Sequence, residues 1–152
     1  VAQALGAKIA RPDRPVCCLI GDGAMGFHPQ ELETAVRNDL PVIYIVFVDR
    51  QWGMVKMNQQ FALKPLKTLV KKSLGEDETI NADFAEIRFD DLARSMGAHG
   101  ERVSEVADLA PAIERSLDSG LPSVVHVDVD PVTHMWAPAL RSFKDMHQEP
   151  SG

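Results

Sequence analysis

Cysteine, aromatic side chains and positive charge are all scarce in this sequence, and each scarcity excludes something. Two cysteines occur in 152 residues, Cys17 and Cys18, adjacent inside an apolar run. Neighbouring cysteines build neither a disulfide framework nor a zinc knuckle, so they read as strand residues of a protein in a reducing compartment. Lys and Arg number 16 against 22 Asp and Glu, a formal net charge of −6. That balance argues against nucleic acid or anionic membrane as a general partner. No apolar run approaches the ~18 residues of a membrane-spanning helix. A signal-peptide pattern is also lacking, and the expected location is the cytoplasm. What is present is material for one core, with 45% hydrophobic residues. The chain opens on a pattern that already reads as helical (Val1, Leu5, Ile9), and its first methionine is Met25. It therefore reads as a piece of a longer polypeptide.

Residues 1–10 read as a helix closed by Arg11-Pro12-Asp13. Val16 to Ile20 is a short continuous apolar run, as in a strand covered on both faces. It leads into Gly21-Asp22-Gly23-Ala24-Met25-Gly26, read as a glycine-rich turn. Pro29 suits a first helical position, with Leu32, Ala35 and Val36 on one face. Val42 to Val48, seven apolar residues rich in β-branched types, predicts a second buried strand. Beyond Trp52-Gly53 the pattern loosens, and an amphipathic helix or a surface flap is expected around Leu63 to Leu74. Regularity returns with a helix from Phe89-Asp90-Asp91 to Gly97, then a short extended piece at Val103. A helix from about Asp108 follows, with Pro111 in its first turn and Gly120 past its end. Ser123 to Val129 is the next strand, and the tail carrying Trp136 and Phe143 shows no period. The fold class is α/β, an open, mostly parallel sheet with helices on both faces. Ligands of such sheets bind at the carboxyl ends of the strands.

Asp22 and Asp49 each follow a strand directly. If those strands are neighbours, both carboxylates point into one crevice. Glycines flanking Asp22 let the backbone approach an anion closely and present N–H groups to it. Phosphate donors beside carboxylates for a hard cation describe a phosphate–Mg²⁺ site. The same letters also spell a rival, since Gly21, Gly23 and Gly26 give G-x-G-x-x-G after a strand, with Asp49 as ribose ligand. Against that dinucleotide reading, Phe27-His28-Pro29 delays the helix, and Asp49 lies further downstream than the ~20 residues usual for the ribose ligand. His28 beside the glycines is a candidate for substrate or phosphate contact, His126 sits within a strand, packed or edge-exposed, and His99, His134 and His147 have no mutual metal-ligand spacing.

Gly21-Asp22-Gly23, a helix, a strand, then Val48-Asp49-Arg50-Gln51-Trp52-Gly53-Met54-Val55 resembles the motif of thiamine-diphosphate-dependent enzymes. The Glu31 to Val42 segment and the closing Gly97-Ala98 through Asp130-Pro131 are similar to the acetolactate synthase and benzoylformate decarboxylase group. The resemblance implies a pyrophosphate- and Mg²⁺-binding domain over residues 1–138, the C-terminal one of three and truncated at its start, with 139–152 as a tail. It further implies that Asp22 and Asp49 hold Mg²⁺ through side chains and Gln51 through its backbone carbonyl. Gly21 and Gly23, Ala24 and Met25 would contact the diphosphate, while Trp52, Gly53, Met54 and Val55 would face the thiazolium and substrate. The implied reaction is decarboxylation or carboligation of a 2-oxo acid, with the essential glutamate on the pyrimidine-binding domain of a partner subunit. No catalytic residue falls in this fragment, which is expected to be inactive alone, and the full enzyme is expected to be a homodimer or homotetramer. Two departures stand out. Val48-Asp49 replaces an Asn-Asn pair, and Lys56-Met57-Asn58-Gln59 stands where acetolactate synthases carry an Arg-Gln-Trp-type run.

Overall fold

The computed structural model describes residues 1–71 and 78–133. The expected tail at 139–152 lies outside the described residues. The chain divides into two compact units, one of Val1–Arg50 with Phe84–Val129, the other of Gln51–Asp83 with the chain from Asp130.

In the first unit, α1 (Ala2–Ala10) leads to strand β1 (Val16–Gly21). A single helical turn α2 (Asp22–Met25) and α3 (Glu31–Arg37) precede β2 (Val42–Val48). The strands run in the order β1-β2-β4-β3, all parallel, with β3 at His99–Val103 and β4 at Ser123–Asp128. Parallel strands hidden on both faces need no polar alternation, which is why Val42 through Val46 are all buried. One face of the sheet packs Tyr44 and Val46 against Leu5 of α1, Leu32 and Ala35 of α3 and Phe89. The other packs Ile43, Ile45 and Val125 against Ala112 and Ile113 of the long helix near the end of the unit. Helices therefore cover both faces of β2 and β4. By contrast, β1 is an edge strand with Cys17 and Leu19 exposed, not covered on both faces as the sequence pattern predicts.

Two expectations need correction. The Gly21–Gly26 stretch is not an open turn. It closes into α2 because the Asp22 carboxylate accepts the Gly23 N–H at 2.7 Å, satisfying a donor that a helix start leaves over. The last helix begins at Val106 rather than Asp108, so Pro111 sits in its second turn. Gly97 and Gly120 both take left-handed φ, at 84° and 63°, and stop the helices before them at no steric cost.

In the second unit, the loosened stretch forms α4 (Gly53–Leu63) and α5 (Pro65–Lys71). The first is tied to the segment around residue 80 by a Lys56–Asp83 ion pair and by Gln59, which accepts the Ile80 N–H at 2.7 Å. Thr68 Oγ1 of α5 donates to the Gln60 carbonyl at 3.0 Å and joins the two helices. Helices α6 (Phe89–Ser95) and α7 (Val106–Ser119) belong to the first unit.

Candidate functional site

Register places the two carboxylates together. β1 pairs with β2 through Gly21 opposite Phe47, so Asp22 and Asp49 leave the carboxyl ends of adjacent strands. Asp22 is buried, with 5% of its surface exposed, and Asp49 is half-buried. Each Asp22 oxygen has a backbone donor: Gly23 N–H at 2.7 Å on Oδ1 and Arg50 N–H at 2.8 Å on Oδ2. Arg50 itself takes a left-handed φ of 57°, uncommon for a residue other than glycine.

Burial and then the neighbouring Asp49 carboxylate push the Asp22 carboxyl up to about 6, against the pull of the two N–H donors. No cation is among the groups acting on it. Two carboxylates held together at strand ends are costly unless a positive charge lies between them. A hard divalent ion that takes oxygen ligands fits this donor set. The residues present thus fit the metal that the motif implies, and among the described residues no third His, Cys, Asp or Glu completes a cluster with them.

The other residues expected from sequence are placed as follows. Gly21 ends β1, and Gly23, Ala24 and Met25 form α2. The Met25 side chain is fully buried in the core, so any role at a ligand belongs to its backbone. His28 is exposed beside Phe27, their rings 6.4 Å apart. Gln51, Trp52, Gly53, Met54 and Val55 all fall in the second unit. There Gln51 is buried and its side-chain amide donates to the Pro131 carbonyl at 2.6 Å, while the Trp52 N–H donates to Ala82 at 2.8 Å. Met54 and Val55 open α4 with about half their surface exposed.

Sequence reasoning passed over Arg50, which has a left-handed backbone and gives Asp22 its second donor. Arginine carries no signal for that conformation. It also left His126 undecided between packed and edge-exposed. His126 is fully buried on β4, an interior strand, where its Nδ1 accepts the Phe89 N–H at 3.3 Å.

Comparison with known proteins identifies the family. Residues 1–127 match the family described as thiamine pyrophosphate enzyme, C-terminal TPP binding domain. An acetolactate synthase large subunit of Mycobacterium tuberculosis is 40% identical over 132 residues, 84% of this chain and 21% of that protein. A sulfoacetaldehyde acetyltransferase of Alcaligenes xylosoxydans xylosoxydans is 37% identical over 114 residues, 75% of this chain and 17% of that protein. Among solved structures, a thiamine diphosphate-dependent 4-hydroxybenzoylformate decarboxylase of Rhodococcus jostii superposes with a TM-score of 0.65 at 28% identity, covering 84% of this chain and 22% of that one. The chain thus spans about a fifth of the length of these relatives. With the family match running through the glycines and both carboxylates, the dinucleotide reading has no remaining support, and the chain belongs to the thiamine pyrophosphate enzymes as a C-terminal TPP-binding domain.

Proposed function

We propose that this domain anchors the diphosphate of thiamine diphosphate through Mg²⁺, within an enzyme that decarboxylates or ligates a 2-oxo acid in the manner of acetolactate synthase. The observation that carries the reading is the Asp22–Asp49 pair, two carboxylates placed together at adjacent strand ends with no cation acting on Asp22. Asp22 and Asp49 would hold the metal, and the resemblance adds the Gln51 carbonyl. Backbone groups of Gly23, Ala24 and Met25 would meet the diphosphate, and Trp52 to Val55 the thiazolium and substrate side. When bound, thiamine diphosphate supplies the carbon nucleophile and electron sink that loss of CO₂ from a 2-oxo acid requires. This chain contributes binding and holds the cation whose charge offsets the diphosphate, while a partner subunit's pyrimidine-binding domain completes the site in a homodimer or homotetramer. The acetyltransferase relative supports an acyl-transferring branch as the second reading.

Calorimetric titration of thiamine diphosphate into the full-length protein carrying this domain tests the assignment. Binding that requires Mg²⁺ and disappears in Asp22→Ala is expected, with acetolactate formed from pyruvate in the favoured branch. Binding that survives chelation, or NAD binding in its place, would overturn it.

A further inference from the structure

We propose that Arg102 is a positioning residue for the Asp22–Asp49 pair, acting through a closed ring of contacts around the end of β2. The inference rests on the cation-binding reading of that pair for its consequence, but the ring itself is visible without any ligand. From Asp22, the ring passes to the Arg50 N–H at 2.8 Å. The Arg50 carbonyl accepts the Phe84 N–H at 2.8 Å, which ties residues 84–86 to the turn. Two residues on, Glu86 is held by Arg102 Nη1 at 2.9 Å. The same guanidinium grips Asp128 with two hydrogen bonds, Nη2 to Oδ1 at 2.8 Å and Nε to Oδ2 at 2.9 Å. Asp128 is the register partner of Val48, and the next N–H along, Val129, donates to the Val48 carbonyl at 3.1 Å. Val48 precedes Asp49, and the ring closes on Arg50.

Arginine is suited to this place because its planar fork engages two carboxylates in fixed directions, which a point charge cannot. Ser104 Oγ at 2.5 Å and His126 Nε2 at 3.3 Å add to the hold on Asp128. What the clasp stabilises is a conformation that the sequence does not favour. Arg50 is a non-glycine residue at φ 57°, and its N–H donates to Asp22. Loosening the segment at residues 84–86 frees Arg50 to leave that conformation, carrying Asp49 away from Asp22.

A natural control involves Glu101, the neighbour of Arg102 on β3. Arg115 of α7 makes an equally close pair with Glu101, Nη2 to Oε2 at 2.7 Å, but neither residue belongs to the ring. The test is amide hydrogen exchange of Arg50 in the cofactor-free, metal-free protein, followed by Mn²⁺ titration read by electron paramagnetic resonance. In Arg102→Gln and in Glu86→Gln, Arg50 exchange should accelerate about tenfold or more while amides in the middle of β1 and β2 hold. Mn²⁺ should bind several-fold more weakly, Arg102→Lys should restore part of both effects, and Arg115→Gln should change neither. Unchanged Arg50 exchange in the clasp variants, or an equal effect of Arg115→Gln, overturns the proposal. Should Arg102→Gln fail to fold, Glu86→Gln decides, because it leaves the Arg102–Asp128 pair intact. If the unsubstituted protein takes up no Mn²⁺ while Arg50 still responds, the cation-binding reading fails and the positioning role stands.

Discussion

Two aspartates in this domain are almost equally hidden from water, and their surroundings drive them in opposite directions. Asp90 is 2% exposed and Asp22 5%. Burial pushes both carboxyls up. At Asp90, the Arg94 guanidinium at 2.7 Å, with Arg88 at 3.5 Å, more than reverses the effect and holds the group below the usual carboxylate range. At Asp22, the next influence is a second carboxylate, and the group rises to about 6. One aspartate has its counter-charge built into the fold. The other meets a like charge, which is how a fold keeps a place for a cation supplied from outside.

The comparison can be broken most severely at Gly100. A Cβ there would lie 2.2 Å from the Asp90 carbonyl oxygen, so Gly100→Ala must push α6 off β3. A loss of roughly 3–5 kcal/mol, or failure to fold, is expected by urea denaturation. Next comes Asp90→Ala, which removes the acceptor of the Arg94 hydrogen bond and should cost about 2–3 kcal/mol in the same assay. Asp49→Asn sharpens the contrast by reversing its sign. Taking one charge from beside Asp22 should stabilise the metal-free protein by about 1 kcal/mol near pH 8 while weakening Mg²⁺ binding.

That gain depends on pH in a defined direction. A carboxyl raised in the folded state binds more protons folded than unfolded between about 4 and 6, so its penalty is complete above pH 6 and disappears towards pH 4. The stability gap between Asp49→Asn and the parent, followed by thermal denaturation, should close over that interval. The difference is the informative quantity because His126 acts the other way. Burial lowers its pKa, so its contribution to stability is lost as pH falls below about 6.5. The smallest effect belongs to the exposed Glu33–Arg37 pair at 3.0 Å, where Arg37→Ala should change stability by about 0.5 kcal/mol or less.

Sequence was most informative where burial imposes a simple pattern. The β-branched run of β2 and the two acids that each follow a strand were legible because parallel neighbours need only strand order to bring their ends together. Helix α4 was not, and α5 was legible only as one of two alternatives for the stretch around Leu63 to Leu74. Leu66 and Val70 are 79% and 83% exposed, so their apolar spacing reports no packed face and could not decide between helix and flap. Asp90 read only as a helix start, since the arginines that neutralise it earn that role through three-dimensional proximity. Asp22 and Asp49 could be paired from the chain order, but the raised carboxyl depends on burial. The backbone reversal at Arg50 that completes the site goes against residue preference.

The strand order also bears on the sequence of events as the chain folds. β1 and β2 are joined by a short crossover, so the two carboxylates meet by closing a small loop. β4 reaches β2 only after the whole stretch from Gln51 to Pro122 has been folded back, and Asp128 arrives with it. Contacts this distant in sequence form late, because more chain entropy must be lost before they are made. The acidic pair is therefore brought near before Asp128, whose strand end lies beside Val48, is in place.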